Sequence, residues 1–498
     1  MGSKLIIELK TRIYSNPKKF FAISFLLLAL WQIFFFWQPD RLNKNDLRKD
    51  ATGMGYTYAR KFVFFYYHMG LFPLVSEKEP TEGSYQEASN ILKEGGNNLL
   101  MEYFHWSRLG DSGRIFMFMP DAFLFGKIKE PSVRTFNAIF FTLSLFSVLV
   151  AFYLHKRFIM GICYVLLIGS SSFWLYETYV HENIFAVLIF NFNFLLALFL
   201  NLILDKSQKY ILLKMLLAGL TIAFFSSIRA EVKSMLLSGF LVIFLYKHSR
   251  WYTKILWMLV LVASFKLCSV CINLYFDYKF NEAYQIVKKN RGIPYDGPRI
   301  QSHKLWHPIF VFLGDFDTKY GYGPKVNDTV AYSYAVPVLN EKYGMNIKYS
   351  GKLYLDDYYD STKKYYKKFD EIPEYEQVCK EKVLSDIKKD PWWFSEIILK
   401  RIVMNITCLS PLSLRFLTLN IPIPFSGIWA LLLVPAVIYF KEFSYLKFLL
   451  FSIPISLVSI LIYSKDNITY NHVYHTMALV VIIQITTAYL LKRHQKQV

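Results

Sequence analysis

Apolar residues collect into ten runs separated by polar segments: Phe20–Trp37, Phe136–Leu154, Phe158–Leu175, Ile184–Leu204, Ile211–Ser227, Ser234–Tyr246, Ile255–Tyr275, Ile423–Phe440, Phe448–Tyr463 and Thr476–Leu491. A helix needs about 20 mostly apolar residues to cross the hydrocarbon core of a bilayer. Most of the runs approach that length, and Ser234–Tyr246 reaches it only if extended at its ends. The pattern predicts an all-α polytopic membrane protein of about ten transmembrane helices. Lys4, Lys10, Arg12, Lys18 and Lys19 precede the first run as they would in a signal peptide. No small-residue cleavage site follows; Phe34, Phe35, Phe36 and Trp37 close the run with rings suited to an interface, which predicts a retained anchor.

Composition removes several alternatives. With 54% hydrophobic, 18% aromatic and 19% charged residues, the chain is too apolar for intrinsic disorder. Its 57 Lys and Arg against 37 Asp and Glu give a net charge of +20, which raises nucleic-acid binding until the positions are read. Alternating the runs from a cytoplasmic N-terminus puts Lys156 and Arg157, then Lys206, Lys209 and Lys214, then Lys247, Arg250 and Lys254 on inner connections. Lys441 and Lys447, then Lys492, Arg493 and Lys496, follow on the same side. The short outer connections carry only Arg229, Lys233 and Lys465. This is the positive-inside asymmetry; it puts both termini in the cytoplasm and leaves no concentrated patch for nucleic acid.

The chain divides accordingly into a cytoplasmic N-terminus (1–19), an N-terminal transmembrane module (20–275) containing a first extracytoplasmic loop (38–135), an extracytoplasmic loop domain with interfacial helices (276–422), and C-terminal transmembrane helices with a cytoplasmic tail (423–498). The two long polar segments are expected to form a mixed α/irregular cap, since connections of that length usually carry function. Trp392–Leu419 is amphipathic and interrupted by Pro411, as expected of a segment lying along or dipping into the interface. No internal repeat is apparent, which weakens an inverted-repeat transporter. Zinc, P-loop, dinucleotide and nucleophile-elbow signatures are lacking in the sequence.

Candidate chemistry concentrates in the outer connections. Asp50 follows the first run by a few residues, ahead of Gly53, Gly55 and the aromatic stretch from Tyr56. A carboxylate desolvated against rings at the lipid surface has a raised pKa and can accept a proton from a hydroxyl; a solvated helix cap is the plainer alternative. Tyr176–Asn183 carries Glu177 and Glu182 without a basic residue, which suits sugar hydroxyls or simple capping of two spans. Arg229 stands where the positive-inside rule disfavours it, and guanidinium suits phosphate; pairing with Glu231 is the alternative. Lys465, His472, Tyr474 and His475 bring cationic and hydrogen-bonding groups together near a helix start, a lipid-phosphate site in outline. His307, Asp315 and Asp317 lie in an aromatic-rich string, where rings stack on sugar faces and polar groups fix hydroxyls. Asp315 and Asp317 are also potential Ca²⁺ or Mn²⁺ ligands, but no complete oxygen-ligand loop surrounds them, so neither a metal nor another cofactor is favoured.

The layout resembles the GT-C superfamily of integral membrane glycosyltransferases, which includes protein O-mannosyltransferases and the aminoarabinose transferases acting on lipid A. The resemblance rests on Asp50 with Tyr56 and Ala59 after the first helix, on Arg229-Ala230-Glu231 after a later span, and on His472–His475 before the last helices. Many members carry Asp-Glu at the first position, whereas here Ala51 follows Asp50; Glu102 and Asp111 are the candidate partner carboxylates. The resemblance implies an inverting transfer of a sugar from a polyprenyl-phosphate donor to a glycan, lipid or protein hydroxyl. Asp50 would be the general base, and Arg229, Lys465, His472, Tyr474 and His475 would hold the lipid phosphate. It further implies a role in cell-envelope polysaccharide synthesis at a bacterial inner membrane, with the site facing the periplasm. A lipid-linked glycan flippase and a glycan ligase or polymerase are the alternative readings.

Overall fold

The computed structural model describes residues 15–37, 62–101 without 77 and 79, 112–128, 132–180, 186–206, 209–296, 305–323, 327–349, 358–360, 365–367, 372–407, 409–410, 412–426 and 443–462, with isolated positions 428, 435, 437, 438, 479 and 482. The chain is mostly helical. Apart from a short helix in the first polar segment, Tyr85–Glu94, the first helices are α1 (Pro17–Phe36), α2 (Arg114–Phe125), α3 (Arg134–Leu154), α4 (Phe158–Gly169), α5 (Ala186–Ile203), α6 (Ile211–Ile228), α7 (Met235–Leu245) and α8 (Trp251–Lys289). After them come α9 (Trp306–Leu313), α10 (Asp328–Tyr343), α11 (Pro373–Lys389), α12 (Pro391–Thr407) and α13 (Phe443–Ile462). Strands β1 (Leu74–Ser76) and β2 (Leu99–Met101) pair antiparallel, as do β3 (Ser413–Phe416) and β4 (Leu419–Pro422). Among the described residues, five helices are long and apolar enough to cross a membrane: α1, α3, α5, α6 and α8.

Burial orders these helices around α5. Its apolar window is 83% buried, against 11% for α1, so α5 is the axis and α1 a peripheral helix. The α1 start is set locally, with Pro17 in the first turn and the Asn16 side chain accepting from the Lys19 amide at 3.3 Å, both ordinary start signals. Inside the bundle, Asn193 of α5 accepts from the Tyr164 hydroxyl of α4 at 2.5 Å and donates to Ser144 Oγ of α3 at 3.1 Å. Apolar contact with lipid does not distinguish helix from helix, so such polar clasps help to fix which helices meet.

α6 and α8 meet at Gly219. A Cβ there would sit 1.9 Å from Ser264 Oγ and 2.5 Å from the Leu261 carbonyl oxygen, so only glycine permits the backbones to approach this closely. α8 has 39 residues, about 58 Å at 1.5 Å per residue, and so runs well past the expected Ile255–Tyr275 span. Its far end remains helical because Phe280, Ala283 and Val287 are buried at helical spacing. The chain then turns onto β2, where Ile293 donates to the Leu99 carbonyl and Met101 donates to the Ile293 carbonyl at 2.9 and 3.1 Å. The first polar segment is thereby clasped to the projecting end of α8.

Several basic clusters of the sequence converge at one end of the bundle. Asp205 Oδ1 accepts from Lys447 Nζ at 2.6 Å and from the Lys247 amide at 3.4 Å. Burial, together with the nearby charges of Lys214 and Lys206, holds the His155 imidazole below its ordinary range. At the opposite end lie Phe36, Phe125 and Tyr179, their rings in mutual contact with Phe36 at the centre.

The remaining runs differ in detail. Phe158–Leu175 is two pieces, α4 and a helical turn at Ser172–Leu175. The short Ser234–Tyr246 run is extended by a 3₁₀ turn at Ala230–Ser234. Ile423–Phe440 begins in extended chain, with Phe425–Ser426 a strand, and Phe448–Tyr463 falls on α13. Thr476–Leu491 lies outside the described residues apart from 479 and 482. The amphipathic Trp392–Leu419 segment is α12 followed by β3, whose hairpin with β4 leans on the bundle: the Arg415 amide donates to the Ser170 carbonyl at 2.6 Å, and the Phe416 ring lies 6.1 Å from Trp31.

Helices α9 to α12 form a polar unit with a core of its own, built on Phe310, Phe312, Tyr322, Tyr375 and Trp393. Replacing Gly219 by leucine forces α6 and α8 apart; overpacking of this kind costs about 1–3 kcal/mol. A lowered thermal midpoint of the purified protein in detergent checks it, and an unchanged midpoint would refute the close-approach role.

Candidate functional site

At the Phe36 end of the bundle, Arg229 breaks the helical path with an extended backbone between α6 and the 3₁₀ turn. Its guanidinium meets the Glu231 carboxylate at 2.6 Å, with the two side chains only 13% and 6% exposed. The alternating order of two helix pieces around one extended residue explains the geometry: Arg229 and Glu231 flank Ala230 and turn to the same side. Gly113 donates to the Ser227 carbonyl at 3.0 Å, and Arg114 Nε to the Ile228 carbonyl at 3.4 Å. A Cβ on Gly113 would fall 2.1 Å from Ser227 Oγ, so this docking also depends on glycine. Residues far apart in the chain, the end of the first polar segment and the Arg229 corner, are therefore adjacent.

Glu177 is at the same end. It lies in a π turn, Tyr176–Val180, and is 2% exposed rather than displayed in a solvated loop. Neighbouring Thr178 accepts through its carbonyl from Asn137 Nδ2 at 3.4 Å, and Tyr179 donates to Gln32 Oε1 at 2.8 Å. π turns inside helices recur at functional sites, because the extra residue turns side chains away from the regular path. Asp50, Tyr56, Glu102, Asp111, Glu182, Lys465, His472, Tyr474 and His475 lie outside the described residues.

His307, Asp315 and Asp317 belong to the polar unit and not to this corner. His307 opens α9; its Nδ1 is 2.6 Å from the Tyr375 hydroxyl, its Nε2 is 3.3 Å from Asp328, and its ring stacks on Tyr332. The α9 N-terminus is already capped by Glu376, which accepts from the amides of Leu305, Trp306 and His307 at 2.9–3.0 Å. Asp315, at the other end of α9, accepts from Arg401 at 2.6 Å, and the Arg401 side chain is fully buried. Asp317 accepts from the amides of Lys319, Tyr320 and Tyr322 and from Trp393 Nε1 at 2.8–3.0 Å. A sugar hydroxyl at Asp317 would have to displace one of these donors. Among the described residues, no group of three or more His, Cys, Asp and Glu comes together to hold a metal ion.

Some influential residues carried weak signals. Gln32 is a lone amide in an apolar run, Arg401 one of two adjacent cations on an amphipathic stretch, and Asp121 a lone acid beside Pro120. All three are buried, and Asp121 receives both the amide and the hydroxyl of Thr135 at 2.8 and 2.9 Å. A polar residue interrupting an apolar period was the available clue; its partner, distant in sequence, was not.

Burial alone would raise the Asp317 carboxyl, but the hydrogen bonds it accepts outweigh this and hold it below the ordinary carboxylate range. A carboxyl with a lower folded than unfolded value adds stability above the unfolded value, and that contribution is lost as pH falls through the folded one. Asp317→Asn is therefore expected to destabilise the polar unit at neutral pH by about 1.5–3 kcal/mol, the usual worth of hydrogen bonds to a charged group, and to blunt its loss of stability below about pH 4. Hydrogen exchange at the Tyr320 and Tyr322 amides between neutral and acid pH reads both effects; unchanged protection in the variant would contradict the assignment.

Comparison adds no relative to this picture: no family model, no curated protein and no solved structure matches the chain.

Proposed function

We propose that the chain is a membrane glycosyltransferase that moves a sugar from a polyprenyl-phosphate donor to an acceptor hydroxyl with inversion. The observation that carries this reading is the shielded Arg229–Glu231 corner, docked against the end of the first polar segment at the bundle end opposite the basic clusters. Opposite placement agrees with a ten-span topology in which the basic end is cytoplasmic and the Arg229 corner faces outward. In a bacterial inner membrane that side is the periplasm. No nucleotide-binding fold is required, because the activated sugar arrives within the bilayer.

Asp50 takes the proton of the acceptor hydroxyl as general base, with Tyr56 beside it and Glu102 or Asp111 as the second carboxylate. Arg229 stabilises the departing lipid phosphate, a charge that grows in the transition state, and Lys465, His472, Tyr474 and His475 complete the anion site. Glu231 holds the guanidinium in one orientation. Glu177 and Glu182 are the candidate sugar contacts, and the aromatic polar unit with His307, Asp315 and Asp317 forms the acceptor side. A flippase requires no general base, so Asp50 separates that alternative from the enzyme; a ligase or polymerase shares the chemistry and differs in acceptor.

In proteoliposomes loaded with a polyprenyl-phosphate sugar, Asp50→Asn is expected to lower the transfer rate by about 10²–10⁴-fold, the usual contribution of a general base. Arg229→Ala is expected to lower it by about 10²–10³-fold, as removal of one charge-stabilising donor does. Full transfer activity in Asp50→Asn would remove the mechanism.

A further inference from the structure

The bundle carries an apolar groove of about 390 Å³ between α1 and α3, with Phe25, Ile33 and Trp37 on one wall and Ala138, Ile139 and Leu143 on the other. Both walls are helices long and apolar enough to cross a membrane. Phe25, Ile33, Ile139 and Leu143 remain 40–49% exposed beside it, so in a bilayer the open side of the groove meets hydrocarbon. Trp37 and Phe125 stand at its mouth, both exposed, in the manner of rings at a membrane interface.

We propose that this groove binds one acyl chain of a bilayer phospholipid. Its length selects that occupant. From Trp37 to Phe25 the α1 wall rises by about 18 Å at 1.5 Å per residue, close to the roughly 15 Å of a single leaflet in a 30 Å core. An acyl chain whose glycerol backbone lies at the Trp37 level ends where the groove ends, whereas a long polyprenyl chain would overrun it. The wall chemistry agrees. The deeper wall at Phe25 and Leu143 is apolar, as a hydrocarbon chain requires. A seated chain fills the gap between α1, the least buried of the five long helices, and α3, and so fixes the helix that precedes the proposed general base. The site is separate from the sugar-transfer reading and is read without any transfer assay.

The test is retention of lipid through detergent exchange, measured by native mass spectrometry of the full chain, with phospholipid and polyprenyl phosphate both supplied. Wild type is expected to keep a phospholipid. Ala138→Trp, which fills the groove, is expected to reduce retention on the order of tenfold, the cost of losing burial of about two methylene groups. Leu259→Trp, on the exposed face of α8, leaves retention unchanged. If Ala138→Trp fails to give a monodisperse protein, Ile139→Trp decides, since that position is 43% exposed and tolerates a larger ring. Wild type stripped of lipid, equal retention in the groove variants, or polyprenyl phosphate retained in place of phospholipid would each overturn the proposal.

Discussion

The close approach of α6 and α8 at Gly219 is the contact on which the rest of the arrangement depends. It lets the Leu261 and Ser264 region of α8 lie against α6 with backbone nearly touching backbone. α6 ends at the Arg229 corner, while α8 runs on to Lys289 and clasps β2. One helix thus delivers the shielded arginine and the other anchors the first polar segment. Their relative height is set where no side chain intervenes. In lipid, where apolar burial supplies little preference between neighbours, such backbone proximity is among the few features that specify a pairing.

The polar clasps around α5 serve the same end by different means. Asn193 joins Tyr164 and Ser144, so that α3, α4 and α5 share one hydrogen-bonded knot. Asp205 gathers Lys447 and the Lys247 amide at the basic end. The first places polar groups where hydrocarbon would penalise an unmet partner, the second ties helix ends at the basic end, and each disfavours sliding of one helix along another. α1 has fewer such ties. Trp31 Nε1 donates to the Gly169 carbonyl at 3.3 Å and Gln32 receives Tyr179, both near its Phe36 end, leaving the other half of the helix to ring packing of Phe20 and Phe21 on Tyr153.

The spans were legible because apolar period and length report directly on lipid crossing. Phe20–Trp37, Phe136–Leu154, Ile184–Leu204 and Ile211–Ser227 fall within a few residues of α1, α3, α5 and α6. Where the reading fell short, a second constraint had taken over. α8 outlasts its apolar run because a three-to-four spacing of Phe280, Ala283 and Val287 continues into polar sequence. Tyr176–Asn183 reads as a hydrophilic connection because of its two acids, yet its first part, Tyr176–Val180, is buried as a π turn. The Arg229–Glu231 pair stood in the sequence only as the plainer alternative to a phosphate site, and it is the contact present at 2.6 Å. The partners of Asp315 and Asp317 were not legible: Arg401 and Trp393 come from helices far along the chain.

That contrast bears on why Arg229 is a better functional candidate than the buried Arg401. Ion pairs out of water are weak sources of stability, and apolar replacements of similar volume often do as well, so their presence calls for another reason. For Arg401 the fold supplies one: the guanidinium reaches both Asp315 and the Phe312 carbonyl at 2.6 and 3.2 Å and ties α12 to the end of α9. It is sealed from any ligand, with its side chain wholly buried. Arg229 pairs instead with a near neighbour in sequence, Glu231. It sits at a break between helix pieces, keeps 13% of its side chain accessible, and adjoins the docking point of a polar segment. An arginine paired with a carboxylate, and shielded without being closed off, gains strength toward an anion because little water competes for it. The same shielding makes its charge costly when no anion is present, and Glu231 offsets that cost in the resting protein.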